Sequence, residues 1–394
     1  MNRGGDPQAG SPVFAGGIIR DHEHDGLRSG EGSIVELADG RLLMLYSAFR
    51  GPRDHSAADI ARLISTDGGN TWSFPSVVFR APAGVLNFSS VSLLRLRDGR
   101  IGCVFCVKHS LSELEPVWTV SADEGETWSE PVPLMGEKGY FLVNNDRLIQ
   151  MGDGTLVVPY ALHQNFHGQE QYAHFNPGLN AVCGLIFSVD GGVRWMRSLC
   201  QITHTEEYHC RPLFVDEALL SAGVRFQLQH RLGVFQEPGV QELSDGRLML
   251  SMRSSHGIYR AFSDGVNSPW EGCGRMEGLH VCLGPQTIKR LPDSKELLML
   301  YNDRGTIPVG DPRFTLRTPL SLARSIDDAR SWRPCGSLTD DSRNYCYFSL
   351  LFFQNRFVIS CYRSAQVRAP EGLEARRNLA SLQVLFGPVS LLPG

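Results

Sequence analysis

The sequence predicts an all-β protein, a six-bladed β-propeller, and three observations carry that prediction. Apolar runs of strand length recur along all 394 residues, with scarcely any amphipathic helical pattern between them. Asp-Gly turns join one run to the next. A second turn, built on Ser, Asp, Gly and Trp, returns at matching distances.

The first kind of turn opens each unit. It stands at Ala38-Asp39-Gly40-Arg41, Arg97-Asp98-Gly99-Arg100, Gly152-Asp153-Gly154-Thr155 and Ser244-Asp245-Gly246-Arg247, each followed by a run such as Leu42-Leu43-Met44-Leu45-Tyr46. Gly accepts positive φ without steric cost, so Asp-Gly between apolar runs is a hairpin signal. Two later units turn without Gly, at Pro292-Asp293-Ser294-Lys295 and at Gln354-Asn355-Arg356. About six units at a period of roughly 40 to 60 residues match propeller blades. A single domain over residues 1–394 is therefore expected, with 1–28 an extension that closes or flanks it.

The second kind of turn reads S-x-D-x-G-x-T-W in Ser65-Thr66-Asp67-Gly68-Gly69-Asn70-Thr71-Trp72 and in Ser121-Ala122-Asp123-Glu124-Gly125-Glu126-Thr127-Trp128. Weaker copies run from Ser188 to Trp195 and from Ser325 to Trp332, and Ser263-Asp264-Gly265 is a remnant. Asp can bond backbone N–H groups across such a turn while the Trp packs back onto the sheet. The motif resembles the Asp box, or BNR repeat, of sialidases and other propellers. There the box is structural and lies away from the centre, so Asp67 and Asp123 are read as structural.

Composition narrows the partners. With 42% hydrophobic and 20% charged residues the chain can bury a large core. A formal net charge of −4 gives no general attraction to nucleic acid or to an anionic membrane, so neither is an expected partner. Any anionic ligand has to be met by clustered Arg. The opening Met1-Asn2-Arg3-Gly4-Gly5-Asp6-Pro7 lacks the apolar stretch of a secretory signal, and no later run spans a bilayer, so a cytoplasmic location is expected. The ten Cys sit mostly in apolar runs and read as reduced core thiols. Cys103 and Cys106 form a C-x-x-C without the second pair that zinc requires. Asp21-His22-Glu23-His24-Asp25 lacks the spacing of a metal motif, and no metal or organic cofactor is expected.

In a propeller the innermost strands converge on one axis, so a site collects single residues from many blades. From about Ser29 to Leu385 the chain resembles the sialidase (neuraminidase) superfamily at several such places. Glu237 heads a strand and Arg253 ends the next. The resemblance implies that Glu237 polarises a nucleophile and that Arg253 binds a substrate carboxylate, while Glu242, in mid-strand, reads as an ordinary solvated or ladder residue. The loop Phe49-Arg50-Gly51-Pro52-Arg53-Asp54 supplies Asp54 at the offset of the family's acid and base, which Asp59 does not match, with Arg50 flanking. An exposed Arg53–Asp54 ion pair is the alternative. In Tyr345-Cys346-Tyr347-Phe348-Ser349, Tyr347 fits the family's nucleophile better than Tyr345.

A phenol needs a nearby base to take its proton. A neutral nucleophile also avoids repulsion by the sugar's own carboxylate. Arg suits that carboxylate because it donates in a planar fork. The resemblance implies three such Arg: Arg253, Arg317, and Arg28, for which Arg20 is the weaker substitute, since the family's Arg-Ile-Pro is absent. Asn145 and Arg147, opening the third unit, are candidates to line the pocket or to cap a turn.

The expected function is a retaining exo-glycosidase that removes terminal α-linked sialic acid or a related carboxylated sugar. Action on another acidic sugar, as glycosidase or lyase, and non-catalytic carbohydrate binding stay open beside it. A binding module would need the Arg donors but not an acid, a base and a nucleophile.

Overall fold

The computed structural model describes residues 15–163, 181–204, 210–214, 235–254, 257–282, 284–305, 316–366 and 379–393. Met1–Pro7 and the rest of the extension before Ala15 lie outside them. Among the described residues no helix is long and apolar enough to cross a membrane.

The protein is mostly β, and its described strands form four sheets; in the largest, parallel pairs at Ala58–Asn87 and Leu114–Tyr140 join three antiparallel groups, so that six such groups follow in chain order. The first comprises Arg28–Glu36, Leu42–Phe49, Ala58–Ser65 and Ser76–Phe79, and the second Asn87–Arg95, Ile101–Lys108, Leu114–Ser121 and Val132–Pro133. In the third, Leu156–His163 pairs with Tyr140–Leu142 and Ile149–Gln150 on one side and with Ala181–Ser188 on the other. The fourth and fifth are Gln236–Glu242 to Glu271–Arg275 and Thr287–Arg290 to Arg333–Ser337. The sixth takes Arg343–Phe353, Arg356–Ala365 and Ser381–Pro388, and its fourth strand is Ala15–Arg20, from the opposite end of the chain.

The second strand of each group is almost continuously apolar because both its faces are covered. In Leu42–Phe49, side chains alternate between two cores. Leu42, Met44 and Tyr46 pack with Val358, Leu382 and Val384 of the sixth group, while Leu43 and Leu45 pack with Val91, Leu93 and Phe105 of the second. Each remaining core likewise lies between neighbours: second with third, third with fourth, fourth with fifth and fifth with sixth. The packing therefore runs in a closed circuit.

The hairpin turns form as the sequence predicts. Asp39 accepts from the Arg41 N–H at 3.1 Å, Asp98 from Arg100 at 3.0 Å, Asp153 from Thr155 at 2.8 Å and Asp245 from Arg247 at 3.1 Å. Where Gly is missing, Gln354 and Asn355 themselves take φ of 45° and 59°, the two positive values of a type I′ turn. In the Ser–Asp–Trp turns, Asp67 accepts from the Thr71 N–H at 2.8 Å and hydroxyl at 2.6 Å, Ser65 Oγ accepts from Gly69 N–H, and Trp72 Nε1 donates to Gly69 O. Asp123 repeats this with Thr127.

Two expectations change. Among the described cysteines eight are free, but Cys273 is disulfide-bonded, so the reading of reduced thiols does not extend to it. Glu242 is more than a ladder residue: its carboxylate accepts from Gly152 N–H at 2.8 Å and ties the third hairpin turn to the fourth sheet.

Candidate active site

Four first strands carry the same irregularity. The pairing register slips by one residue between Gly30 and Ser33, Ser89 and Ser92, Gln236 and Gly239, and Cys346 and Ser349. Within each slip one non-Gly residue takes positive φ: Glu31 (51°), Ser90 (61°), Glu237 (46°) and Tyr347 (55°). A bulge re-aims a side chain, and a non-Gly residue held in this region costs about 1–3 kcal/mol, which the surrounding sheet must support. These side chains meet in pairs. Ser90 Oγ donates to Glu31 at 3.0 Å, and the Tyr347 hydroxyl donates to Glu237 at 3.1 Å.

Around the Tyr347–Glu237 pair, Arg253 bonds the other oxygen of Glu237, and both are buried. The Arg317 guanidinium lies over the Tyr347 ring, 5.4 Å from its centroid, and Tyr362 meets that ring edge-on at 5.6 Å. Arg28 opens the first strand and is buried. It donates to Asp54 at 2.5 Å, to Glu31 at 2.7 Å and to the Tyr362 hydroxyl at 3.0 Å. Asp54 sits in the loop after Leu42–Phe49, and its backbone carbonyl accepts from Asn87 Nδ2 at 2.9 Å and Lys108 Nζ at 3.3 Å.

The charges divide the groups into roles. Burial works to raise the Glu237 carboxyl, but Arg253 and Arg317 outweigh it and hold it below its ordinary value. Burial, reinforced by Glu237, pushes the Tyr347 phenol well above its own. The pair is thus a neutral phenol donating to an ionised carboxylate. For Asp54 burial again raises, and Arg28 with Lys108 and Arg317 brings the net value down. Glu31 goes the other way, because burial and the nearby Asp54 exceed the pull of Arg28.

The structure thus brings Arg28, Asp54, Glu237, Arg253, Arg317 and Tyr347 into one chain of contacts. It does not bring Arg50 there: Arg50 pairs with Asp59, which also accepts from Ala81 N–H. Arg20 pairs with Asp25. Asn145 and Arg147 are buried, and Arg147 lines a small cavity with Asp146, Gly239 and Ser251. Asn145 Nδ2 donates to Gly32 O and Tyr347 O, and Arg147 to Thr287 and Gln286 O, so they tie first strands together. Sequence reasoning passed over Glu31, Lys108 and Tyr362. Glu31 had a usable signal: like Glu237 and Tyr347, it precedes a small residue by two, Ser33 against Gly239 and Ser349. Among the described residues no group of three or more His, Cys, Asp or Glu could hold a metal ion.

A mostly-β fold with these turns resembles that of sialidases. The chain belongs to the family of BNR repeat-like domains, whose pattern matches residues 105–359. A sialidase from Bacteroides fragilis (strain YCH46) is 23% identical over 375 residues, covering 84% of this chain and 59% of that protein. One from Paraclostridium sordellii is 27% identical over 187 residues, 41% of this chain and 44% of that protein. The chain thus spans about half the length of these relatives. Among solved structures, a protein of unknown function from Dyadobacter fermentans DSM 18053 aligns with TM-score 0.65 at 16% identity, over 94% of this chain and 97% of its own. Trypanosoma rangeli sialidase in complex with the inhibitor DANA aligns with TM-score 0.65 at 14% identity, over 91% and 55%. At such identities the likeness is one of fold.

Proposed function

We propose that the chain is one six-bladed β-propeller domain, with residues before Arg28 closing the ring, and that it is a retaining exo-glycosidase of the sialidase type. The substrate in this reading is a terminal sialic acid or a closely related carboxylated sugar. The observation that carries it is the Tyr347 hydroxyl donating to an ionised, buried Glu237. A purely structural Tyr would have no use for a base held in that state by two Arg. The closed circuit of cores supports the propeller.

In this mechanism Arg28, Arg253 and Arg317 receive the sugar's carboxylate. Tyr347 passes its proton to Glu237 as its oxygen bonds to the anomeric carbon, and Asp54 protonates the departing glycosidic oxygen. Asp54, now ionised, then takes a proton from water, which displaces Tyr347; the phenolate recovers its proton from Glu237. Asn145 supports the nucleophile by bonding its backbone carbonyl. No step calls on a metal or organic cofactor.

A second reading, a different acidic sugar, is favoured by Glu31. Its carboxylate already occupies one edge of Arg28, which leaves a narrower seat for the ligand's anion.

The test is hydrolysis of a fluorogenic α-sialoside by the purified chain, with NMR detection of the anomer first released. Retention to the α anomer is expected. Asp54→Ala should lower turnover by about 10²–10⁴-fold on a poor leaving group and less on an activated phenol, which needs little protonation. A folded protein inert toward sialosides but active on another carboxylated sugar would favour the second reading.

A further inference from the structure

Every donor edge of Arg28 is engaged, but its partners differ in how easily they could leave. Nε is held by the Tyr362 hydroxyl and Nη2 by Glu31, whose side chain is 8% exposed and also bonded by Ser90 and Tyr362. The guanidinium lies between the Phe49 ring at 4.4 Å and the Tyr362 ring at 5.1 Å, contacts that hold it in place more firmly than anything holds the Asp54 carboxylate. On Nη1 sits Asp54, whose side chain is 48% exposed. The bonds from Asn87 and Lys108 go to Asp54's backbone carbonyl, so its carboxylate can rotate off Arg28 while the loop stays fixed.

We propose that Asp54 occupies, in the free protein, the seat on Arg28 that the substrate's carboxylate takes, so that an anionic ligand dislodges Asp54 and frees it to carry a proton. This rests on the sialidase-type reading and adds a condition to it. The carboxylate of the sugar is then required both for binding and for arming the acid. A neutral sugar would leave Asp54 latched and ionised.

The charges facing Asp54 fit the exchange. Arg28 and Glu31 face it from the first strand, Lys108 from the second sheet, Tyr140 from the third, and Arg317 from the segment before Leu320–Ser325; His55 is its neighbour in the loop. Arg28 is the strongest of the cations that hold the Asp54 carboxyl down, so once another carboxylate neutralises Arg28 and sets a second negative charge beside Asp54 and Glu31, Asp54 takes up a proton from solvent. One negative charge arrives and one is cancelled, so the net charge of the cluster stays the same. The proton gained is the one later given to the leaving oxygen.

Calorimetric titration of the full chain with N-acetylneuraminic acid and with its methyl ester, at mildly acid pH in buffers of different ionisation heat, tests this. The acid should bind with uptake of about one proton, and its affinity should weaken by up to about tenfold per pH unit as pH rises through the linked range. The ester should bind without uptake. Asp54→Asn, checked for an unchanged melting temperature, should bind the acid more tightly at neutral pH and take up no proton. Uptake that persists in Asp54→Asn, or none in the native chain despite binding, overturns the latch while leaving the sialidase-type reading intact. Failure of both ligands to bind the folded chain removes that reading, and the latch with it.

Discussion

Tyr347 and Glu237 share one hydrogen bond and have opposite shifts, and both follow from burial beside Arg253 and Arg317. Replacing Tyr347 by Phe deletes the oxygen and leaves the ring under Arg317 and edge-on to Tyr362. Turnover of a sialoside should fall by at least about 10³-fold with the unfolding midpoint nearly unchanged; retained turnover would remove Tyr347 from the reaction. Glu237→Gln acts differently, because it strands Arg253 without its carboxylate. Stranding a buried charge costs about 3–5 kcal/mol, so a clear drop in denaturant midpoint is expected alongside lost activity. The depressed Glu237 value also sets an acid limit. Its contribution to stability is complete above the unfolded carboxyl's ordinary pKa of about 4.3 and is lost as pH falls through the lower folded value. Native-protein melting temperatures should therefore decline below that point more steeply than those of Glu237→Gln.

At the level of strands and turns, two kinds of Asp divide cleanly. Asp67 spends both oxygens on Thr71 and Ser65 within its own turn. Asp67→Ala should lower stability by about 1–2 kcal/mol in a denaturant titration and leave kcat/KM within a few-fold, the reverse of Asp54→Ala. The turns were legible in the sequence because they are local: Asp-Gly and Ser-x-Asp carry their geometry within a few residues. The apolar second strands were legible for a similar reason, since burial on both faces writes an unbroken apolar run. Site residues at bulges were harder to read. Glu31 is marked in the sequence only by the small Ser33 two places on, because what makes it reach Arg28, Ser90 and Tyr362 is a register slip set by the partner strand. Asn145 and Arg147 were singled out as pocket-lining candidates. Their partners outside the third group of strands, Gly32, Tyr347, Gln286 and Thr287, are recorded by no local pattern.

For the molecule as a whole, stability depends on the circuit of cores being complete. Ala15–Arg20 covers the edge of Ser381–Pro388, with Ala15 opposite Phe386 and Gly16 opposite Leu385. Deleting residues 1–20 uncovers that edge, and an exposed strand edge recruits other chains. The shortened protein should melt several degrees lower and scatter light on warming, whereas a chain that behaves like the native one would show the sixth sheet to be sufficient with three strands. The same pairing bears on how the protein is made. Ala15–Arg20 leaves the ribosome some 360 residues ahead of its partner. At about 5–20 residues per second, that strand waits roughly twenty to seventy seconds for the only neighbour it pairs with among the described residues. Until then the circuit of cores stays open beside Ala15–Arg20, and synthesis of the sixth group of strands is what seals it.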